Sequence, residues 1–288
     1  MKHIKYIILL ILFTACINRE KPVEIEKLLG NDYRLFQNTP AWELAKAVQD
    51  GNIKKMREQV IDRKINVDTK DPKYGGTLLQ LAISNRQIKS ITELLELGAN
   101  PNEPDKYRGQ AAMHIASKKV YTSHPEYLKL LLKYGGDPNL CEYGPGPEHG
   151  SARFFPLYIA AGEDIKLAEV LINAGADVNQ KLIDSDKTPL FNALFNQKID
   201  IVLLLLEHGA DYKLTYRNPV LNHQEDICFM LRKMMFRIGS KNHKVKMQVV
   251  KWLKVHGVDY KSTPIPAYTE KKIDAIYPDK AEYYKKNY

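Results

Sequence analysis

Cysteine is nearly absent from this chain, with three residues in 288, at positions 16, 141 and 228. So few thiols exclude a disulfide-dense scaffold, and no Cys-x-x-Cys pair is present to build a zinc or redox centre. Long apolar runs are missing as well. Tyr6 to Phe13 and Ile201 to Leu206 fall far short of the roughly 20 residues that cross a bilayer as a helix. There is no Gly-x-Ser-x-Gly elbow, no His-Glu-x-x-His and no Gly-x-x-x-x-Gly-Lys-Ser/Thr loop, which removes the common signatures of serine hydrolases, zinc peptidases and P-loop enzymes. The glycine-rich stretch Gly144 to Gly150 contains Pro145 and Pro147, which lack a backbone donor, and Glu148, which repels phosphate. It reads as a stiff loop.

What the chain does have is a fragment that returns. Gly98-Ala99-Asn100-Pro101-Asn102, Gly135-Gly136-Asp137-Pro138-Asn139, Gly175-Ala176-Asp177-Val178-Asn179 and Gly209-Ala210-Asp211-Tyr212-Lys213 each follow a leucine-rich helical stripe. Ahead of each stripe stands a shorter helix, opening at Thr77-Leu78-Leu79, Ala111-Ala112-Met113, Phe155-Pro156-Leu157 and Thr188-Pro189-Leu190. These openings are 34, 44 and 33 residues apart, and one supersecondary unit copied at such a period predicts a solenoid. The long interval marks an insertion. In its Thr-Pro-Leu opening, leucine helix and Gly-Ala-Asp-Val-Asn close, the chain resembles the ankyrin-repeat family over most of residues 41 to 260. The resemblance implies an all-α ankyrin-repeat solenoid of about six helix-turn-helix units, with a repeat domain at 40–260 and divergent terminal repeats.

The recurring residues have local reasons. Threonine before a helix accepts a bond from a free N–H, proline at the first position has no donor to lose, and glycine after the last turn accepts a left-handed backbone. Thr188-Pro189 keeps both opening devices, Thr77 only the hydroxyl, Phe155-Pro156 only the proline and Ala111-Ala112 neither. Each missing cap is expected to cost about 1 kcal/mol. Two weaker units flank the clear ones. Ala41 to Asp68 lacks the terminal glycine, and Val249 to Tyr260 supplies a good second helix whose partner is placed at Asp226 to Ile238.

The chain begins with a second signal. Lys2 and Lys5 precede the apolar run, and Thr14-Ala15-Cys16 follows it, an arrangement that resembles a bacterial lipoprotein signal peptide. Phe13 stands where that motif prefers leucine. The resemblance implies removal of residues 1–15, lipidation of Cys16, a mobile tether over 16–39 and a location at the cell envelope, periplasmic or surface-exposed. An ordinary cleaved signal and a short uncleaved anchor are the alternatives.

Formal charge is +9, but residues 213 to 260 alone carry ten basic and three acidic side chains while 16 to 212 are nearly neutral. A basic end unit suits anionic lipid or an acidic partner, or is a solvated terminal face. An export signal argues against nucleic acid. Residues 261–288 form a basic tail that either caps the stack or stays loose, and Cys141 and Cys228, about two units apart, are expected as free thiols. His124, Cys141 and His149 match no metal-ligand spacing, no cofactor is expected, and the resemblance gives His114 a structural role tying neighbouring loops.

What remains is recognition. The exposed fingers of such a stack are placed at 71–76, 105–109, 142–153, 184–187 and 217–222, and they carry Tyr74, Tyr107, Arg108, Tyr143, His149 and Arg153 as candidate partner-binding residues. The third unit, with extra residues at 121–125 and 141–150, is the favoured docking region. The resulting expectation is a non-catalytic, lipid-anchored scaffold for another protein. An immunity, inhibitor or protective partner of an envelope toxin or enzyme is its narrower form, and an enzyme sited in the inserted loops is the alternative of a different class.

Overall fold

The computed structural model describes residues 19–120, 125–143, 153–183, 185–218 and 223–287. The signal-peptide region, Cys16, His124, Glu148, His149, Asp184 and most of the finger at 217–222 lie outside the described residues.

Six helix pairs follow one another: α1 (Trp42–Asp50) with α2 (Ile53–Arg57), α3 (Leu78–Ser84) with α4 (Ile88–Glu96), α5 (Ala112–Ala116) with α6 (Glu126–Lys133), α7 (Pro156–Ala161) with α8 (Ile165–Asn173), α9 (Pro189–Phe195) with α10 (Ile199–Glu207), and α11 (Ile227–Lys233) with α12 (Lys241–Val255). The first member of each pair packs on the first member of the next, from α1 to α11, and the second members form a parallel row from α2 to α12. Leucine stripes from both rows meet in one continuous core that runs from Leu28 to Tyr260. No pair could hide its apolar face alone. Among the described residues one two-stranded hairpin, β1 (Tyr216–Asn218) with β2 (His223–Glu225), lies between the last two pairs.

The turn chemistry matches its sequence logic. After α4, Gly98 at φ +92° lets its own N–H reach Leu95 O and the Ala99 N–H reach Leu94 O at 2.9 Å, satisfying carbonyls the helix leaves open. The same bonds close α6, α8, α10 and α12. In the first unit the helix relaxes into a π turn at Glu58–Asp62, and Lys64, at φ +58°, takes the left-handed position. The Ile65 N–H then bonds Gln59 O. The missing glycine is replaced by a strained lysine, one residue later.

Openings are capped by more than threonine. Thr77 and Gln80 bond each other's backbone N–H, Thr188 Oγ1 accepts from Phe191 N at 3.4 Å, and Asp226 and Ser240 cap α11 and α12. At uncapped Ala111 the substitute is His114, whose Nδ1 accepts the Ala111 N–H at 3.0 Å. The ring is wholly buried, and burial pushes its pKa down to about 4, against the opposing pull of nearby backbone.

Two expectations change. Residues 19–39 are not a loose tether over their described length: Leu35 and Phe36 are buried, and the Gln37 side chain bonds the backbone of Arg19, Lys21 and Val23. Arg19 grips Asp50 through two hydrogen bonds of 2.7 and 2.8 Å, and Tyr33 stacks on Trp42. This segment packs on α1 and covers it through its turn at Tyr33–Phe36. The helix placed at 226–238 stops at Lys233, because Met234 turns extended at ψ +106°. The residues that follow it, Met235 and Ile238, instead pack with Ile273 and Tyr284. These belong to α13 (Ala267–Ile276) and α14 (Ala281–Asn287), so the basic tail, for which both a cap on the stack and a loose end were open, is a helical hairpin with its own small core. Cys141 and Cys228 are free thiols.

Candidate functional site

The stack holds its units in register by a row of side-chain staples. Asn102 Oδ1 accepts the Asp137 N–H at 2.8 Å while its Nδ2 donates to Gly135 O at 2.8 Å. Asn139 does the same to Asp177 and Gly175, and Asn179 to Asp211 and Gly209. At the first seam Asp68 accepts from Asn100 N. At the last, Lys213 occupies the asparagine position, and Tyr212, edge-on to Trp252 at 5.4 Å and bonded to His256 O, fills the seam instead.

On that frame the fingers are built by carboxylates. Asp71 accepts the N–H groups of Lys73, Tyr74 and Gly76, and Asp105 those of Tyr107, Arg108 and Gly109. Neighbouring fingers are then joined by single backbone bonds, Lys106 N to Tyr74 O at 3.0 Å and Tyr143 N to Gly109 O at 3.1 Å. Gly109 has φ +68° and lies so close to the Tyr143 backbone that a Cβ there would fall 2.1 Å from its carbonyl carbon. Only glycine fits between these fingers.

The candidate residues fall into two groups. Tyr74 and Tyr107 meet edge to face at 6.0 Å, and the Arg108 guanidinium lies 5.8 Å over the Tyr107 ring. Tyr74 also packs inward, its hydroxyl on Leu28 O, whereas Tyr107 is 54% exposed. Further along, Arg153 sits 5.8 Å over the Tyr143 ring, which is 76% exposed. His149 lies outside the described residues, as do 121–124 and 144–150 of the two insertions of the third unit.

Between the fingers and the inner helices run two adjoining clefts. The first, about 280 Å³, is lined by Tyr74, Gln80, Tyr107, Arg108, Gln110 and Lys118 among others. The second, about 390 Å³, continues from Arg108, Gln110 and Lys118 to Phe154, Tyr158, Asn192 and Asn196. Beyond it, Phe191 and Phe195 stack at 5.8 Å, with Phe195 68% exposed.

Sequence reasoning missed the floor of this groove. Behind it runs a polar chain: Glu142 Oε1 accepts from Gln110 Nε2 at 2.5 Å, and Gln110 Oε1 accepts from Lys118 at 3.3 Å. Burial raises the Glu142 pKa and lowers that of Lys118. The legible signal was Phe191-Asn192 with Phe195-Asn196, aromatic and amide repeated at the four-residue spacing that shares a helix face. Among the described residues no group of three or more His, Cys, Asp or Glu side chains is arranged to hold a metal ion. No helix among them is long and apolar enough to cross a membrane.

Comparison with known proteins agrees with this architecture. The family described as "Ankyrin repeats (3 copies)" matches residues 44–142 and 140–216. The chain is 31% identical over 220 residues to the human ankyrin repeat and SOCS box protein 6, covering 72% of this chain and 48% of that one. It is 29% identical over 159 residues to a putative ankyrin repeat protein of Rickettsia bellii, covering 55% of this chain and 34% of that protein. A third relative is the chicken nuclear factor NF-kappa-B p105 subunit, 28% identical over 140 residues, or 48% of this chain and 13% of the subunit. The chain therefore spans less than half the length of each. Helix pairs stacked in sequence order, glycine-closed outer helices, asparagine staples and the family match together place this chain in the ankyrin-repeat family, whose stacks serve as protein–protein interaction scaffolds.

Proposed function

We propose that this chain is a non-catalytic scaffold that holds another protein in its concave groove while a lipid on Cys16 fixes it to the bacterial cell envelope. The observation that carries the binding half is the groove: aromatic and amide side chains line two adjoining clefts that no other part of the described chain fills. Tyr107, Arg108, Tyr143 and Arg153 border it or stand on the adjoining fingers, with Tyr74 at one end, and tyrosine and arginine are types that anchor interfaces when a partner desolvates them. An immunity or inhibitor role is the case in which that partner is an envelope toxin or enzyme.

The anchoring half rests on the basic, apolar and small-residue order of residues 2–16. Only two residues separate Cys16 from Arg19, which is gripped by Asp50. Three residue steps span at most about 10 Å, so a lipidated Cys16 would hold the N-terminal end of the stack directly against the bilayer.

Two measurements test the reading. Metabolic labelling with a fatty-acid probe should mark the wild-type chain and not Cys16→Ser, and unlabelled wild type removes the anchor. A photo-crosslinking residue at Phe195 or Tyr107 should trap a partner that the same residue at Lys89, on the outer helix row, does not. Equal trapping at all three positions removes the groove.

A further inference from the structure

We propose that the groove selects a partner segment bearing an acidic side chain, with its carboxylate seated between Arg108 and Lys118. The inference rests on the scaffold reading and sharpens it. Arg108 and Lys118 line both clefts and stand where the two meet. Neither has a carboxylate within ion-pairing distance among the described residues, whereas the nearby acids are already occupied. Asp105 accepts three backbone N–H groups, and Glu142 accepts from Gln110 Nε2 and Phe154 N. Glu142, Asp105 and Glu163, the last at the rim of the second cleft, act on Lys118 only through space. Two cations thus face one concavity with no counter-charge in contact among the described residues.

The surroundings favour a carboxylate over water. Gln110 holds Lys118 from behind, so its ammonium is aimed and partly desolvated. Tyr107 supports the Arg108 guanidinium through its ring face. On either side lie Tyr74 and Tyr107, and Phe154 and Tyr158, which suit apolar residues flanking the acid. A guanidinium and an ammonium converging on one site make charge-assisted hydrogen bonds to a carboxylate that a neutral amide cannot equal.

The test uses the full chain on an array of immobilised peptides whose central residue is Glu, Gln, Lys or phosphoserine between leucine and tyrosine flanks. Glu-centred peptides should be retained about tenfold more tightly than their Gln counterparts, with the difference shrinking as salt rises. Arg108→Gln should erase that preference while leaving circular dichroism and thermal midpoint unchanged, and Lys118→Gln should erase it with circular dichroism unchanged but a lowered thermal midpoint, because it also loses the bond to Gln110. Failure to retain any Glu-centred peptide overturns the proposal, as does preference for phosphoserine alone, which would make the ligand a phosphate. Equal retention of Glu and Gln, lost on Phe195→Ala, overturns the acid preference while leaving the scaffold standing.

Discussion

Replacing Asn102 by alanine tests whether the staples between units hold the stack. The substitution removes both of its 2.8 Å side-chain bonds, to Asp137 N and Gly135 O, and leaves in place the bond its backbone N–H donates to the Asn100 side-chain Oδ1. Each bond contributes a net of about 0.5–1.5 kcal/mol. Both freed groups lie at the surface where water can reach them, so the expected loss is about 1–2 kcal/mol. Asn102→Asp keeps the acceptor for Asp137 but turns a carboxylate oxygen toward Gly135 O, and should cost about half as much or slightly more. Urea unfolding followed by circular dichroism reads both. Because units contact only their neighbours, the losses from Asn102→Ala and Asn179→Ala, two seams apart, should add within about 0.5 kcal/mol. A loss below about 0.3 kcal/mol for Asn102→Ala would refute the reasoning and leave the units tied by apolar stacking and the finger-to-finger bonds.

Other perturbations have definite signs. Gly136→Ala restores the alanine that the other Gly-Ala corners carry, yet its Cβ would fall 2.6 Å from Met113 Sδ and 2.9 Å from Leu131 O; a lower melting temperature, equivalent to about 1–3 kcal/mol, is expected from this apparent consensus change. Lys64→Gly should do the reverse, raising stability by about 0.5–1 kcal/mol as left-handed strain is released, less the entropy glycine loses on folding. Folded-state His114 has its pKa depressed to about 4 from an unfolded value near 6.5. Stability should therefore be unaffected by this group above pH 6.5 and fall as pH drops from 6.5 toward 4, because only the unfolded chain takes up the proton. His114→Gln should flatten that part of the pH–stability profile.

The repeat units were legible because each is specified by residues within about 33 positions of one another. Glycine, leucine stripe and threonine-proline opening all act on their own turn of chain. What was less legible acts across units. Leu35 and Phe36 sit in a stretch whose prolines and charges suggested a tether, but their role is set by the bare apolar face of α1, which exists only once the stack forms. Met235 and Ile238 looked like the end of a helix and instead carry the C-terminal hairpin. The groove floor escaped for the same reason. Glu142, Gln110 and Lys118 come from a finger, a loop and a helix end, and nothing in their spacing announces that they touch.

Stacking geometry explains why recognition can concentrate at the finger bases without loosening the fold. The staples run along the glycine turns that close the outer helices, while the groove lies between the fingers and the inner helices. Residues that face a partner are therefore not the ones that fix the spacing between units. Arg108 makes the point: its backbone N–H is held at 2.6 Å by Asp105, so the finger keeps its shape whatever side chain stands at 108. Removing the guanidinium should alter what is bound and leave the stability of the stack unchanged, whereas removing the Asp105 carboxylate should loosen the finger and weaken every ligand alike. A comparison of Arg108→Gln with Asp105→Ala, each measured for binding and for melting temperature, separates selectivity from support; equal losses in both measurements for both variants would show that finger and groove are one mechanical unit.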